Sequence, residues 1–308
     1  MLREQISKVP FVLKHEGVLA VGARVLGTLC EELQRVYLPL MRTRFSCPCC
    51  EYSGPFLTVR GQRHCMCPRC GALPRHRFLR LALEALGSTR LSSWSILHIA
   101  PELTLQRWLA RQSSRYVTAD LARGLQAHSF SNQLGVNCDL RELPFPDCTF
   151  DLVIASHVLE HIKEDRPAIN EIYRVLASGG IALLPVPTVA GELTIEYDQP
   201  HPHEQYHVRA PGLDYFDRYR EAGFDVTVRS SREFPEQYQI FAHEDRTKWP
   251  SAERPLLPKQ AGVRHNEYLP ICRKTSVNLR GFAEKGSCEH EDLRRAFEKH
   301  SVAFEPLQ

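Results

Sequence analysis

The apolar segment Phe150–Ala155 constrains the fold of this chain more than any other feature. Only Asp151 in it is polar, which is typical of a parallel strand covered on both faces. A helical pattern follows, which Asp165 is predicted to cap, with Pro167 in the first turn and Gly179-Gly180 at the end. Strand, helix and strand in this order predict a doubly wound α/β fold with a mostly parallel sheet.

Other short apolar runs predict the remaining strands of this sheet. The predicted strands span residues 94–99, 116–119, 181–187, 224–228 and, as a last strand, 267–273. A helix is predicted over residues 75–86, after Pro74. Because doubly wound sheets bind ligands at the carboxyl ends of their strands, the residues that follow each strand are the candidates for a site.

The regions outside this pattern divide the chain further. Residues 1–44 are predicted to form amphipathic helices that dock on the main body, since apolar residues recur at near-helical spacing: Phe11, Val18, Val21, Val25, Leu29, Leu33, Val36 and Leu40. A domain over residues 75–273 contains a Pro-rich and charged insertion at 231–265, and residues 274–308 are predicted to be a polar helical tail. The apolar run at 17–23 is too short to span a bilayer, so we expect a cytoplasmic protein.

Composition agrees with a soluble globular protein. The 308 residues are 43% hydrophobic and 24% charged, with a net charge of +3. These values exclude disorder, collagen and coiled coil as the main organisation. The count of 11 cysteines is high and odd, which argues against a secreted disulfide framework.

Two Cys-x-x-Cys knuckles lie in residues 45–74. Cys47 and Cys50 form the first and Cys67 and Cys70 the second, with 16 residues between the knuckles. This spacing is typical of a structural zinc ion held by four thiolates, so we predict a small zinc ribbon. A redox pair and unliganded core cysteines are the alternatives, and Cys49 and Cys65 are expected to be bystanders.

The ribbon region is strongly basic. Residues 41–80 contain eight arginines and one acidic residue, Glu51. Such a patch could hold nucleic acid, hold an anionic small substrate, or dock on an acidic face of the neighbouring domain. Docking is favoured, because the aromatic residues typical of single-strand binding are not interleaved with the arginines.

Two histidine strings resemble metalloprotease motifs. His203-Glu204-Gln-Tyr-His207 fits the zincin pattern, and His157-Val-Leu-Glu160-His161 fits its inverted form. Zincin chemistry needs the two histidines one turn apart on a sustained helix. Prolines flank the first string, and the second directly follows a strand, so a metalloprotease is the weakest hypothesis.

The ordered set of motifs resembles the class I S-adenosylmethionine-dependent methyltransferases, and within them a branch with an N-terminal zinc ribbon. The resemblance covers about residues 45–230 and the last strand. Its motifs are Cys67-Pro-Arg-Cys70-Gly71, Arg75-His76-Arg77, residues 97–102, Asp120, Asp139-Leu140, Leu143-Pro144-Phe145, residues 150–154, residues 156–161, Arg174-Val175-Leu176, Gly179-Gly180, His207-Val208-Arg209, Asp214-Tyr215-Phe216 and Ala222-Gly223-Phe224. The resemblance implies a Rossmann-like seven-stranded sheet that binds S-adenosylmethionine.

The resemblance also implies cofactor contacts. Asp120 takes the place of the acid that binds the ribose hydroxyls, and Asp139 that of the residue that meets the adenine amino group. Ala100-Pro101 stands where most members have a glycine-rich turn. The residues implied to bind the cofactor are Ile99, Ala100, Pro101, Glu102, Asp120, Leu121, Asp139, Leu140, Ser156 and His157.

For catalysis, His207 is the first candidate for a general base and His157 the second, because histidine exchanges protons near neutral pH. Arg209 and Arg75 are candidates for holding an anionic substrate. The predicted reaction moves a methyl group to an oxygen or nitrogen atom of a small-molecule acceptor. A methyltransferase acting on RNA and an inactive cofactor-binding protein are the alternatives.

Overall fold

The computed structural model describes residues 18–59, 62–121, 133–249 and 259–275. Its helices are α1 Val18–Tyr37, α2 Pro74–Ala85, α3 Ser88–Ser93, α4 Leu103–Gln112, α5 Asp165–Val175 and α6 Asp217–Glu221. Its strands are β1 Phe45–Cys47, β2 Tyr52–Gly54, β3 Leu57–Val59, β4 Gln62–Met66, β5 Ser95–Ile99, β6 Arg115–Asp120, β7 Gln133–Asn137, β8 Phe150–Ala155, β9 Leu176–Leu183, β10 Ile195–His201, β11 His207–Ala210, β12 Asp225–Ser230, β13 Ala242–His243, β14 Arg264–His265 and β15 Tyr268–Arg273.

Seven strands form the central sheet, in the order β12-β15-β9-β8-β5-β6-β7. Strands β5 to β9 pair in parallel, whereas β15 runs antiparallel to both β9 and β12. The first strand of the sheet, β5, has β6 on one side and β8 on the other. The strand order therefore reverses beside β5, which is where such sheets bind ligands.

Helices cover both faces of this sheet, as the doubly wound prediction requires. Leu97 and Val153 face a core shared with α5, while their neighbours Ile96 and Leu152 face a core shared with α2 and α4. All four side chains are at most 1% exposed. Alternate residues of each strand thus enter opposite cores, which explains why β8 has an almost continuous apolar sequence.

The structure differs from the sequence prediction around α5. Asp165 is the first residue of the helix rather than its cap, and its carboxylate accepts a hydrogen bond from Tyr215 Oη at 2.6 Å. The helix ends at Val175, and Gly179-Gly180 lie within β9 instead of ending the helix. A Cβ on Gly180 would lie 2.8 Å from the Ala177 carbonyl oxygen, so glycine there serves strand packing.

Strand β7 was missed by the sequence interpretation. It contains Gly135 and carries few of the consecutive apolar residues that mark the other parallel strands. Its pairing with β6 places Asn137 beside Asp120. This pairing completes the edge of the sheet next to the candidate site.

Most of the apolar residues that are predicted to dock helix α1 are exposed. These are Val18, Val25, Leu29, Leu33 and Val36, together with Leu40 after the helix, whereas Val21 is half-buried. A polar contact joins the helix to the ribbon, since Gln34 Nε2 donates to the Thr58 carbonyl oxygen at 3.0 Å. None of the helices in the described residues has the length and apolarity needed to cross a membrane. Phe11 and nearly all of the predicted tail lie outside the described residues.

The insertion 231–265 packs against the ribbon. The fully buried Arg77 of α2 donates from Nε to the Tyr238 carbonyl oxygen at 2.8 Å, and from Nη1 to the Cys65 carbonyl oxygen at 2.9 Å. It also donates to the carbonyl oxygen of Gln239. One side chain therefore ties the ribbon, α2 and the insertion together.

Candidate functional site at the carboxyl ends of the strands

A cavity of about 460 Å³ lies at the carboxyl ends of β5, β6 and β8. This volume is in the range of sites for small molecules and cofactors. Its lining residues are Ile99, Ala100, Ala119, Asp120, Leu121, Cys138, Asp139, Leu140, Arg141, Leu143, His157, Val158, His161, Ile162, Lys163 and Glu164. Seven of the ten sequence-predicted cofactor residues are therefore in this cavity.

Two acidic side chains approach the cavity from successive strands. Asp120 ends β6, and burial raises the pKa of its carboxyl, which the backbone of Leu121 partly opposes. Asp139 follows β7 and is held by Arg141, whose Nη2 lies 2.7 Å from Oδ2. This contact lowers the pKa of Asp139, so that carboxylate is ionised, and Arg141 also reaches Glu164 across the rim at 2.6 Å.

The turn after β5 is built without glycine. Ala100 adopts φ +45°, in the left-handed region, and its N–H donates to the Ala119 carbonyl oxygen at 2.8 Å. A non-glycine residue in this region costs about 1–2 kcal/mol. Ala100 thus adopts a backbone conformation that favours glycine and brings a small side chain to the cavity wall.

Three predicted cofactor residues, Pro101, Glu102 and Ser156, are not among the residues that line the cavity. Ser156 is 4% exposed, and its Oγ has no hydrogen-bond partner among the described residues. Glu102 turns inward, with Oε2 3.2 Å from His98 Nε2 and Oε1 3.7 Å from His76 Nε2. Because the carboxylate is shielded from water, it needs these histidines as hydrogen-bonding partners.

The Glu102 cluster is a chain of buried polar groups. Tyr116 Oη lies 2.8 Å from His98 Nδ1, so a neutral His98 with its proton on Nε2 can accept from the tyrosine and donate to Glu102. Burial would raise the pKa of Glu102, but the hydrogen bond with His98 brings it below its usual value. Burial lowers the pKa of His76 to about 3. His76 is therefore neutral and accepts a hydrogen bond from the Leu73 N–H at 3.3 Å.

His157 lies directly in the cavity wall. It follows β8 with φ +55°, an uncommon conformation for a non-glycine residue. Its Nδ1 is 3.4 Å from Oε1 of Glu160, which is fully buried. Burial raises the pKa of Glu160, but the neighbouring His157 imidazole and the charges of His161 and His207 bring it below its usual value.

His207 lies close to Glu160 but outside the cavity wall. Its Nε2 is 4.0 Å from Glu160 Oε1, and its ring centroid is 4.6 Å from that of His161. Unlike His157 and His161, it does not line the cavity. The zincin string that contains it is no helix, because Pro202–Glu204 form a 3-10 turn and His207 begins strand β11.

Arg209 does not hold a substrate, contrary to the sequence expectation. It is 1% exposed, and its Nη1 donates to the carbonyl oxygens of Leu159 and Ile162 at 2.8 and 2.7 Å. Its Nη2 donates to the Lys163 carbonyl oxygen at 2.9 Å, and its Nε faces Glu196. Because these partners occupy the guanidinium, Arg209 fixes the loop after β8.

The four predicted metal ligands converge in the ribbon. The Sγ atoms of Cys47 and Cys70 are 3.6 Å apart, as are those of Cys50 and Cys67, and all four lie within 4.8 Å of one another. A tetrahedral zinc ion with bonds of about 2.3 Å separates its sulfur ligands by about 3.8 Å. The cluster therefore has the composition and spacing of a tetrathiolate site.

Several arginines of the ribbon region make contacts within the protein. Arg77 is buried on carbonyl oxygens, and Arg69 donates to the Cys50 carbonyl oxygen at 3.1 Å. The guanidinium of Arg80 lies 3.8 Å from the ring centroid of Trp108 and pairs with Glu84. Three of the eight arginines are therefore engaged within the fold.

Comparison with known proteins supports the topology. Residues 104–184 match the family described as methyltransferase domain. In chain order the seven strands run 3-2-1-4-5-7-6 with the seventh antiparallel, which agrees with the seven-stranded sheet that the resemblance implies. Within these residues the chain is therefore similar to methyltransferase domains, including one named for dependence on S-adenosylmethionine.

Curated relatives of the methyltransferase domain match short stretches. A probable S-adenosylmethionine-dependent methyltransferase of Mycolicibacterium smegmatis is 30% identical over 29% of this chain and 34% of its own length. A ubiquinone/menaquinone biosynthesis C-methyltransferase of Xanthomonas oryzae pv. oryzae is 40% identical over 21% of this chain and 24% of its own length. The chain thus spans about a third or less of these relatives.

One solved structure is also similar to this chain. The S-adenosylmethionine-dependent methyltransferase of Mesorhizobium loti aligns with 63% of this chain and 96% of its own, at 17% identity and a TM-score of 0.43.

Sequence reasoning missed three residues of the methyltransferase domain and its ribbon. In the sequence, Glu160 stands in an inverted protease string and in one of the resemblance motifs, and neither it nor Arg141 or Arg77 is assigned a role. Glu160 and Arg77 become notable only when burial is known, since both are 0% exposed. The signal available in the sequence was their place within the motifs that carry the resemblance.

Proposed function

We propose that this protein transfers a methyl group from S-adenosylmethionine to an oxygen or nitrogen atom of a small-molecule acceptor. The supporting observation is the cavity that Asp120 and Asp139 enter from the ends of successive strands. The relative named for ubiquinone and menaquinone biosynthesis supports a small acceptor. When bound, the cofactor supplies an activated methyl group.

The residues of the cavity fit that cofactor. The Asp120 carboxylate accepts from the backbone of Leu121, and no other hydrogen bond to it is found among the described residues. It is thus available to two ribose hydroxyls. Leu140 and Leu143, both nearly buried, offer an apolar surface for the adenine ring, and Asp139 lies beside them.

We propose His157 as the general base, ahead of His207. It lines the cavity, and the buried Glu160 carboxylate beside Nδ1 would orient the ring and stabilise the imidazolium that forms. A base must lie within hydrogen-bonding reach of the acceptor proton, which favours the residue in the wall. Most of the acceleration would come from holding the acceptor in line with the methyl group.

Arg75 is the remaining candidate for an anionic acceptor group. Its Nε is buried and has no hydrogen-bond partner among the described residues. Its charge acts on the pKa values of His76, Glu102 and Glu267, so it lies near these three side chains.

The ribbon is proposed to hold a structural zinc ion on Cys47, Cys50, Cys67 and Cys70. The sulfur spacing supports this assignment, and a site of four thiolates leaves no position for substrate. Such thiols persist in reducing compartments, which supports the predicted cytoplasmic location.

Isothermal titration with S-adenosylhomocysteine, followed by assays on small phenols, amines and carboxylic acids, tests the proposal. Binding with turnover of a small acceptor, insensitive to salt, would support it. Activity on RNA that falls steeply with salt would favour the RNA alternative, since phosphate contacts release counterions. If S-adenosylhomocysteine did not bind, the methyltransferase proposal would be overturned. Cofactor binding with no methyl transfer from labelled cofactor would favour an inactive cofactor-binding protein.

A further inference from the structure

The two protease-like strings, unrelated in sequence, meet in space. Glu160 and His161 end a 3-10 turn after β8, and His207 begins β11. One carboxylate oxygen and one ring nitrogen from each histidine lie within 4.8 Å of one another. Neither string forms a protease helix, yet together they bring two imidazoles and a carboxylate to one point beside the cavity.

The carboxylate in this cluster is under-satisfied. Glu160 is 0% exposed, and neither of its oxygens has a hydrogen-bond partner among the described residues. The imidazole nitrogens of His157 and His207 are 3.4 and 4.0 Å away, longer than charge-assisted hydrogen bonds. Because a buried carboxylate without close partners costs several kcal/mol, a cation is expected to contact it.

The surrounding backbone is built to hold the cluster. Arg209, two residues after His207 on β11, donates to the carbonyl oxygens of Leu159 and Ile162, which flank Glu160-His161. Gln205 and Tyr206 precede His207 with φ +59° and +61°. Two successive left-handed residues are strained, and such strain is found where a side chain must be aimed.

We propose that Glu160, His161 and His207 bind a divalent transition-metal ion, distinct from the zinc of the ribbon. Two histidines and one carboxylate on one side of an ion are typical of Fe²⁺ and related ions, whereas Mg²⁺ and Ca²⁺ prefer oxygen ligands. Ligand atoms of such an ion lie about 3 Å apart, given bonds of about 2.0–2.2 Å. The exposed His161 ring can rotate to close the remaining gap.

Three protein ligands leave coordination positions open. His161 lines the cavity, so these positions face the space where an acceptor would lie. They suit an acceptor with an oxygen donor, such as a phenolate or a carboxylate. That extension rests on the proposed function, whereas metal binding itself does not.

Cobalt titration tests the site. Co²⁺ is added to the full chain with zinc in the ribbon, and visible absorption is followed. We expect one additional equivalent whose bands lack the sulfur-to-cobalt charge transfer of a thiolate site. His161→Ala and His207→Ala should each weaken this binding at least about tenfold, while His243→Ala, in β13, should leave it unchanged.

The site would be overturned if the wild-type chain took up no additional cobalt, or if both variants bound it as tightly as the wild type. Circular dichroism of each variant checks folding. Titration with S-adenosylhomocysteine separates the two proposals. Cofactor binding without cobalt binding would overturn the metal site alone, and cobalt binding without cofactor binding would overturn the methyltransferase proposal alone.

Discussion

The Nε of Arg77 lies 2.8 Å from the carbonyl oxygen of Tyr238, 161 positions later in the chain. The guanidinium belongs to α2, directly after the ribbon, whereas Tyr238 lies in the insertion. Arg77 also stacks on Phe56 of the ribbon, with its guanidinium carbon 4.5 Å from the ring centroid. The ribbon is therefore fixed to the methyltransferase domain through carbonyl groups that depend on one cation.

Replacing Arg77 is expected to destabilise the protein strongly. Arg77→Met keeps much of the side-chain volume but leaves several buried carbonyl oxygens unpaired, so we expect a loss of about 3 kcal/mol or more. Urea unfolding followed by circular dichroism measures the change. Arg107→Met, at an exposed position of α4, is the matched control and should change stability by less than about 0.5 kcal/mol. Equal losses in the two variants would contradict the role of Arg77.

His76 is expected to make stability sensitive to acid. Its pKa is lowered to about 3 in the folded chain, so below about pH 6.5 the unfolded chain binds a proton that the folded chain does not. The free energy of unfolding therefore falls as pH drops from 6.5 toward 3, by up to about 1.4 kcal/mol per pH unit from this residue. The lowered pKa of Glu102 acts in the same direction at lower pH, because the unfolded carboxylate takes up a proton first.

His76→Gln should flatten this slope between pH 6.5 and about 5. Urea unfolding at several pH values compares the variant with the wild type. Protonation of the ribbon thiolates affects both proteins equally, so the difference between their slopes isolates His76. Parallel slopes would contradict the assignment.

Asp120→Asn is expected to weaken S-adenosylhomocysteine binding about 10- to 100-fold, because charge-assisted hydrogen bonds contribute about 1.5–3 kcal/mol. Isothermal titration calorimetry measures the affinity. The control is Asp225→Asn, at an exposed position of β12, which is the edge strand at the other end of the sheet. This variant should bind S-adenosylhomocysteine as the wild type does. Unchanged binding in Asp120→Asn would remove the ribose role.

Ala100→Gly is expected to raise stability by up to about 1.5 kcal/mol. Glycine relieves the left-handed strain in the folded chain, which stabilises it by about 1–2 kcal/mol. Glycine also makes the unfolded chain more flexible, which lowers the free energy of unfolding by about 0.4–1 kcal/mol. Thermal unfolding provides the measurement. Ala110→Gly, within α4, should instead destabilise by about 1 kcal/mol. A loss in both variants would show that φ +45° at Ala100 is unstrained.

Cys67→Ser is expected to abolish thiolate metal binding in the ribbon and to lower stability, because the binding energy of a structural zinc ion contributes directly to folding. Cobalt substitution reports the change as loss of the sulfur-to-cobalt band. Cys148→Ser, at an exposed cysteine, should retain that band. Retention in Cys67→Ser would point to Cys49 as a ligand.

The sequence alone predicts most strands of the sheet, the two cysteine knuckles and seven of the residues that line the cavity. Apolar runs such as Phe150–Ala155 specify buried parallel strands, because burial on both faces demands continuous hydrophobicity. Likewise, the ends of parallel strands bring Asp120 and Asp139 to one edge whatever the loops do. Both inferences depend on local patterns that hold in any surroundings.

Which polar side chains face the cavity depends on contacts made in the folded chain. Glu102 and Arg209 carry charges that the sequence could assign to a ligand, yet Glu102 turns to two histidines and Arg209 to loop carbonyl oxygens. Likewise, Glu160, His161 and His207 come from separate segments and meet only through folding. A buried charge is placed by the partners that compensate its desolvation, and those partners are distant in the chain, so no local pattern reveals them.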